Sequence, residues 1–450
     1  MQLSQIIWSY FQTGLGSLAA YLAAHVLLCL LPAFFIAGAL TALMPKEAIT
    51  RYLGKDTPKF ISYPAAALGG FVLAVCSCTI MPLFAGIYKK GAGIGPAVTF
   101  LFVGPAVNIL AISFTGVQIG MDIAIARLVL SIVFGIVIGL IMARVFREDD
   151  EAHNRETNSL FNQKAKVPTR TIIFFLLLLG VLIAGTLQVS ILTNPLASFS
   201  LPAGWAVNFQ ASLDKFVPAN ASLGIEGVSV QGIGLIILLI LIGATAVKGF
   251  SNLEDGFKRS TTLSLALISL TLIFASLKIQ VQNSLLSIVV PGKFLAILIL
   301  LAAIWIVAIH SFDRSELGSW LWETWRFVRQ IIPLLLTGVF IAGIARAIIP
   351  SNWIQAIAGK NTFSANLIGV LFGVFMYFPT LVEVPVAHTF LSLGMHRGPL
   401  LAYLLADPEL SLQSILITNS VIGKKKTAFY VTLVTIFSTL SGLLFGLFIK

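Results

Sequence analysis

The sequence predicts an all-α polytopic membrane protein of about 10–12 transmembrane segments. It is built from two homologous repeats, inverted relative to each other, each carrying a broken or re-entrant helix hairpin. Three observations predict this. Of 450 residues, 58% are hydrophobic and only 10% charged, with a mean hydropathy of +0.97; soluble domains are about half apolar and a quarter charged. The apolar residues fall in runs long enough to cross a bilayer. Matched glycines and prolines recur at a fixed spacing in the two ends of the chain.

The runs lie at roughly 17–44, 61–88, 95–117, 121–146, 170–192, 230–250, 260–280, 293–312, 329–350, 364–391, 398–418 and 427–449, and about 20 apolar residues suffice to span. Residues 147–169 are a polar loop expected in the cytoplasm. Residues 193–229, with Pro195, Pro202 and Pro218, read as an extracytoplasmic excursion. The organisation is thus 1–146, a first membrane repeat with an N-terminal interfacial segment; the loop 147–169; intervening spans over 170–328; and a second repeat, 329–450. Residues 1–45 contain no Lys or Arg, so no basic signal-peptide region is expected. The net charge of +11 sits mainly in short gaps between runs. Positive-inside orientation and anionic lipid explain it, and no nucleic-acid partner is expected. Three cysteines make no disulfide framework.

The repeat is visible residue by residue. Adding 305 pairs Gly38 with Gly343, Pro45 with Pro350 and Gly54 with Gly359. Adding 303 pairs Gly70 with Gly373, Pro82 with Pro385, Gly91 with Gly394, Gly95-Pro96 with Gly398-Pro399 and Pro105 with Pro408. Gly and Pro restrict backbone geometry, whereas chance likeness between apolar segments favours Leu and Val. If all twelve runs cross, Lys424-Lys425-Lys426 falls outside. If runs 61–88 and 364–391 instead enter and leave by one face, only Lys215, Lys278, Lys293, Lys360, Arg397 and Lys450 stay outside, with Arg127 and Arg346 within the membrane. The positive-inside rule prefers this second topology, which inverts the second repeat.

Helix breaks or hinges are expected at Gly70, Pro82, Pro105, Pro379, Pro385 and Pro408, and the two hairpin tips near the midplane. Kinked full spans are the alternative. One tip carries Cys76, Ser77 and Cys78. In a regular helix the i and i+2 side chains point about 200° apart; across a break both sulfurs can reach one site. Thiolates suit soft ions such as Cu(I) and Zn(II), so Cys76 and Cys78 are the candidate metal ligands; free Cys also packs as a small hydrophobe. Cys29 is a remoter third sulfur. The other tip carries Thr380, Glu383 and, one turn on, His388. An intramembrane carboxylate is costly and points to function, so Glu383 is the candidate proton-coupling group; the other reading is a neutral, hydrogen-bonded plug. Asn108, Asp407 and Glu409 follow matching breaks, where they either line a polar path or cap helix ends. Arg127 and Arg346 read as snorkelling or ion-paired. No phosphate loop or HExxH appears, so neither an enzyme nor a cofactor is expected.

The stretches "CSCTIMPLFAGIYKKGAGIGPAVTFLFVGPAVN" (76–108) and "TLVEVPVAHTFLSLGMHRGPLLAYLLADPELS" (380–411) resemble the predicted-permease family that includes the bacterial trivalent organoarsenical efflux permeases and a copper/zinc efflux branch. The resemblance implies a multi-pass permease of the inner membrane exporting a metal or metalloid such as arsenic, with Cys76 and Cys78 at the family's membrane cysteine motif. The residues leave two rivals: a membrane thiol–disulfide protein, and a permease for another small solute with structural cysteines. A homo-oligomer is compatible with all three.

Overall fold

The computed structural model describes residues 2–23, 26–43, 46–55, 57–73, 77–152, 168–187, 189–217, 227–250, 259–282, 285–348, 356–375 and 380–448. The first repeat comprises α1 (Gln2–Ala23), α2 (Val26–Ala42), α3 (Lys46–Leu53), α4 (Lys59–Leu73), α5 (Ser77–Lys89), α6 (Ile94–Ala106), α7 (Ile109–Gln118) and α8 (Met121–Val145). The middle holds α9 (Thr169–Thr186), β1 (Pro195–Pro202), α10 (Gly204–Phe216), α11 (Val230–Gly249), α12 (Arg259–Ser276), β2 (Lys278–Gln282), β3 (Leu285–Pro291) and α13 (Gly292–Ser311). Then come α14 (Arg314–Ile348), α15 (Phe363–Phe375), α16 (Thr380–Ser392), α17 (Arg397–Leu410), α18 (Leu412–Ile422) and α19 (Lys424–Phe448).

Among the described residues seven helices are long and apolar enough to cross a membrane, or nine if each bent pair is one span. The pairs are α6–α7, bent by 44°, and α17–α18, bent by 45°. The runs expected at 95–117 and 398–418 are therefore broken, each beside an expected break, Pro105 or Pro408. The run at 17–44 is two helices. Residues 2–16, expected at the interface, belong to α1, which packs along α14: Gly343 lets its backbone approach Gly14 and Ser17. Within this all-α membrane fold sits one small three-stranded antiparallel sheet, β1-β3-β2. Its strands are short: β1 runs between Pro195 and Pro202, and β2 and β3 carry the β-branched Ile279, Val281, Ile288, Val289 and Val290.

The repeat holds at the level of elements. Adding 303 converts the bounds of α5 into those of α16 and the bounds of α8 into those of α19, and brings the starts of α6 and α7 onto those of α17 and α18. Both α5 and α16 end in a left-handed glycine, Gly91 (φ 89°) and Gly394 (φ 92°). In each, the next residue's N–H reaches back five residues, Ala92 to the Ile87 carbonyl and Met395 to that of Phe390. This closes a Schellman motif that only Gly enters without strain. The Gly93 N–H donates to the Leu53 carbonyl at 2.8 Å, and His396 to Ala358 at 2.9 Å. A bridge also joins Gly54 to Ala92. Each hairpin's two outer ends are thus tied together. Its arms are 13–15 residues long, about 20–22 Å as helix, against a hydrocarbon core of about 30 Å.

The second copy runs opposite to the first. Helix α6 starts beside the end of α8, where the Ile94 N–H donates to Asp150 Oδ1 at 3.0 Å. Its counterpart α17 starts beside the beginning of α8, where Arg397 Nη2 donates to Asp122 Oδ1 and Oδ2 at 2.7 and 2.5 Å. Helix α19 starts at the far end again, with Lys426 3.5 Å from Asp149. The contacts exchange as an inverted pair requires, α16 packing on α7 and α5 on α18. The centre of the fold is α6 and α17, every residue of which is buried from Ile94 to Ala106 and from Gly398 to Leu410.

Candidate functional site

Of the expected breaks, Gly70, Pro82 and Pro385 lie within continuous helices. Gly70 lies inside α4, which continues to Leu73. A Cβ at Gly70 would sit 2.9 Å from the Gly104 amide nitrogen, and one at Gly373 would sit 3.0 Å from the Asp407 backbone. These glycines are crossing points between hairpin arm and central helix, not hinges. Pro82 and Pro385 lie inside α5 and α16. Each withholds an N–H from the carbonyl four residues earlier, those of Cys78 and Leu381, without ending the helix. Pro105 and Pro408 stand one and two residues before the ends of α6 and α17, and these two do sit beside the observed bends. Cys76 and Pro379 lie outside the described residues, as do the side chains of Ser77, Cys78, Thr380, Cys29 and Arg346.

Glu383 is fully buried in the first turn of α16, where the helix N-terminus favours a negative charge. Its Oε2 accepts from Nη2 of Arg127 on α8 at 3.0 Å, and Arg127 is equally buried. The ion-paired reading of Arg127 therefore holds, and Glu383 is its partner. The pair joins residues 256 apart, one from each repeat. Its geometry is monodentate. Arg127 Nε and Nη1 and Glu383 Oε1 have no hydrogen-bond partner among the described residues.

A second carboxylate stands close by. Glu409, near the end of α17, is buried, and its Oε2 accepts from the Tyr430 hydroxyl of α19 at 2.8 Å. It lies within electrostatic reach of both Arg127 and Glu383. Asp407, two residues earlier, is also buried. At the bend itself Ser411 caps α18, its Oγ donating to Ser414 Oγ at 2.7 Å and accepting from the Ser414 N–H. The matching position in the first repeat is Asn108, buried, whose carbonyl accepts from the Ile112 N–H as α7 begins. Gln413 is buried, with neither end of its amide hydrogen-bonded among the described residues. His388 is exposed and does not join this buried cluster. Tyr430 and Gln413 carry no sequence signal: each is one of several polar residues in its helix, and only the fold brings them to Glu409 and the bend.

The described residues contain no group of three or more His, Cys, Asp or Glu placed to hold a metal. A mainly apolar cavity of about 330 Å³ lies elsewhere, lined by Phe35, Leu178, Leu272, Trp305 and Trp320 among others, and includes neither Arg127 nor Glu383.

A family model described as predicted permease matches residues 13–447, nearly the whole chain. The chain belongs to the predicted-permease family. The permease is 33% identical to UPF0718 protein MJ0584 of Methanocaldococcus jannaschii over 450 residues, covering all of both chains. It is 21% identical to UPF0718 protein YcgR of Bacillus subtilis over 249 residues, half of this chain and 82% of that one. No solved structure matches it. Family and helix content together make the permease a multi-pass membrane protein.

Proposed function

We propose that the permease is a secondary transporter of the inner membrane, not an enzyme, and that it exports a thiophilic metal or metalloid species such as trivalent arsenic. The observation that carries this reading is the pair of hairpins in oppositely running repeats, each packed against a central helix broken at the matching place. Discontinuous helices in corresponding positions of inverted repeats favour a transport site. In this reading the hairpins re-enter from opposite faces. The 147–169 loop and Lys424–Lys426 are cytoplasmic, and 193–229 is extracytoplasmic.

Cys76 and Cys78 bind the substrate at the first tip as soft ligands. The buried thioether of Met81, three residues beyond Cys78, accepts from the Thr418 hydroxyl of α18 at 3.7 Å and places a further sulfur on α5. Glu383, held by Arg127, contributes the charge at the second tip, with Thr380 beside it. Alternating access follows from movement of one repeat against the other around Arg127–Glu383.

The test is uptake of Cu(I), Zn(II) and methylated As(III) into everted vesicles by wild type, Cys76→Ser, Cys78→Ser and Glu383→Gln. Uptake of one species that is lost in the serine variants supports the reading. Undiminished uptake in the double-serine protein refutes the thiol site. A Cys76–Cys78 disulfide trapped in cells without metal flux would make the protein a redox carrier instead.

A further inference from the structure

The central cluster holds one guanidinium and two buried carboxylates, Arg127 with Glu383 and Glu409. Arg127 gives its one described hydrogen bond to Glu383, so Glu409 is the surplus negative group. Its surroundings suit a bare charge poorly. It occupies the last turn of α17, the negative end of the helix dipole, and an uncompensated buried ion is expensive. Its only described hydrogen bond is the one it accepts from Tyr430, at Oε2, and Oε1 has no partner among the described residues. The groups that face it are Tyr430 from α19, Arg127 from α8 and Glu383 from α16; Asp407, two residues earlier on α17, points about 200° away around the helix. The other packed helices, α6, α15 and α18, carry no charged residue.

We propose that Glu409 is a proton-binding site at the bend of α17–α18, taking the proton on Oε1 while Oε2 stays bonded to Tyr430. The inference rests on the transporter reading for its purpose: gain and loss of this proton change the charge of the cluster as the bent helix moves. Coupling then belongs to Glu409, and Glu383 keeps its charge for Arg127.

The experiment needs no substrate. The reconstituted full-length protein is titrated while infrared difference spectra follow the carbonyl stretch of protonated carboxyl groups. Wild type is expected to show a buried carboxyl band that Glu409→Gln abolishes, that Glu409→Asp retains at shifted frequency and that Glu383→Gln, which frees Arg127 to compensate Glu409, moves to lower pH. A band that survives in a folded Glu409→Gln protein overturns the proposal. So does a band that Na⁺ at fixed pH removes stoichiometrically with ²²Na⁺ binding, because the site then holds a metal cation. Because Glu409→Asp keeps the group, misfolding of Glu409→Gln alone leaves the test intact. A missing substrate flux with the band present counts against the transporter reading and not against this site.

Discussion

Replacing Arg127 by Met tests the buried pair. At 3.0 Å and an effective dielectric of about 20, the attraction between the two charges is about 5.5 kcal/mol. It offsets a desolvation cost of several kcal/mol for each ion. Removing the arginine strands Glu383 in a site with no replacement cation among the described residues, at a cost of about 3–5 kcal/mol. Removing Glu383 instead, as Glu383→Leu, is expected to be milder, because Glu409 lies within reach of the freed guanidinium. The double variant discharges both and should lose far less than the sum, giving a coupling energy of about 3 kcal/mol. Reversible unfolding in mixed detergent micelles, followed by circular dichroism, measures the cycle. Additive single-variant losses, with coupling below about 0.5 kcal/mol, would refute the pair as the bond between repeats.

Further predictions follow from the paired geometry. Gly91→Ala and Gly394→Ala should each cost about 1–2 kcal/mol, because both residues sit at positive φ; equal losses in the same unfolding assay check that the two turns are equivalent. Arg397→Asp should weaken the contact between α17 and α8, and adding Asp122→Arg should restore it. The same unfolding assay reports the contact; failure of the swap to restore it contradicts the pairing. Hydrogen bonds from Lys55 and Arg147 hold the exposed Glu151 carboxyl below its ordinary range. Its contribution is therefore present above the ordinary carboxylate range and lost as pH falls through the lowered value. The protection factor of the Gly93 amide should fall in acid, and Glu151→Gln should show the lowered protection at neutral pH.

Much of this was legible in the sequence because the constraints were local. Apolar runs mark spans, and the Gly-Pro matches mark a repeat whose copies share element starts across 303 residues. Glu383 stood out as a carboxylate in an apolar run, and Arg127 as a charge needing a partner. The partner itself was not legible, since the two residues lie 256 apart and many registers of the two repeats satisfy the same composition. Breaks were misplaced at Gly70, Pro82 and Pro385 for a physical reason. A proline withholds one hydrogen bond and leaves the helix standing when neighbouring helices enclose it, and Gly70 serves close approach to Gly104. The bends at 107–108 and 411 were marked by Pro105 and Pro408, whereas the sheet was masked by strands that abut spans.

The central claim is that the thiols of the first hairpin bind what the permease moves. The most direct measurement is flux of methylated As(III) in proteoliposomes containing the purified permease, wild type against Cys76→Ser/Cys78→Ser, with folding confirmed in both. The account predicts saturable flux that disappears in the double variant. Equal flux from both proteins would contradict it.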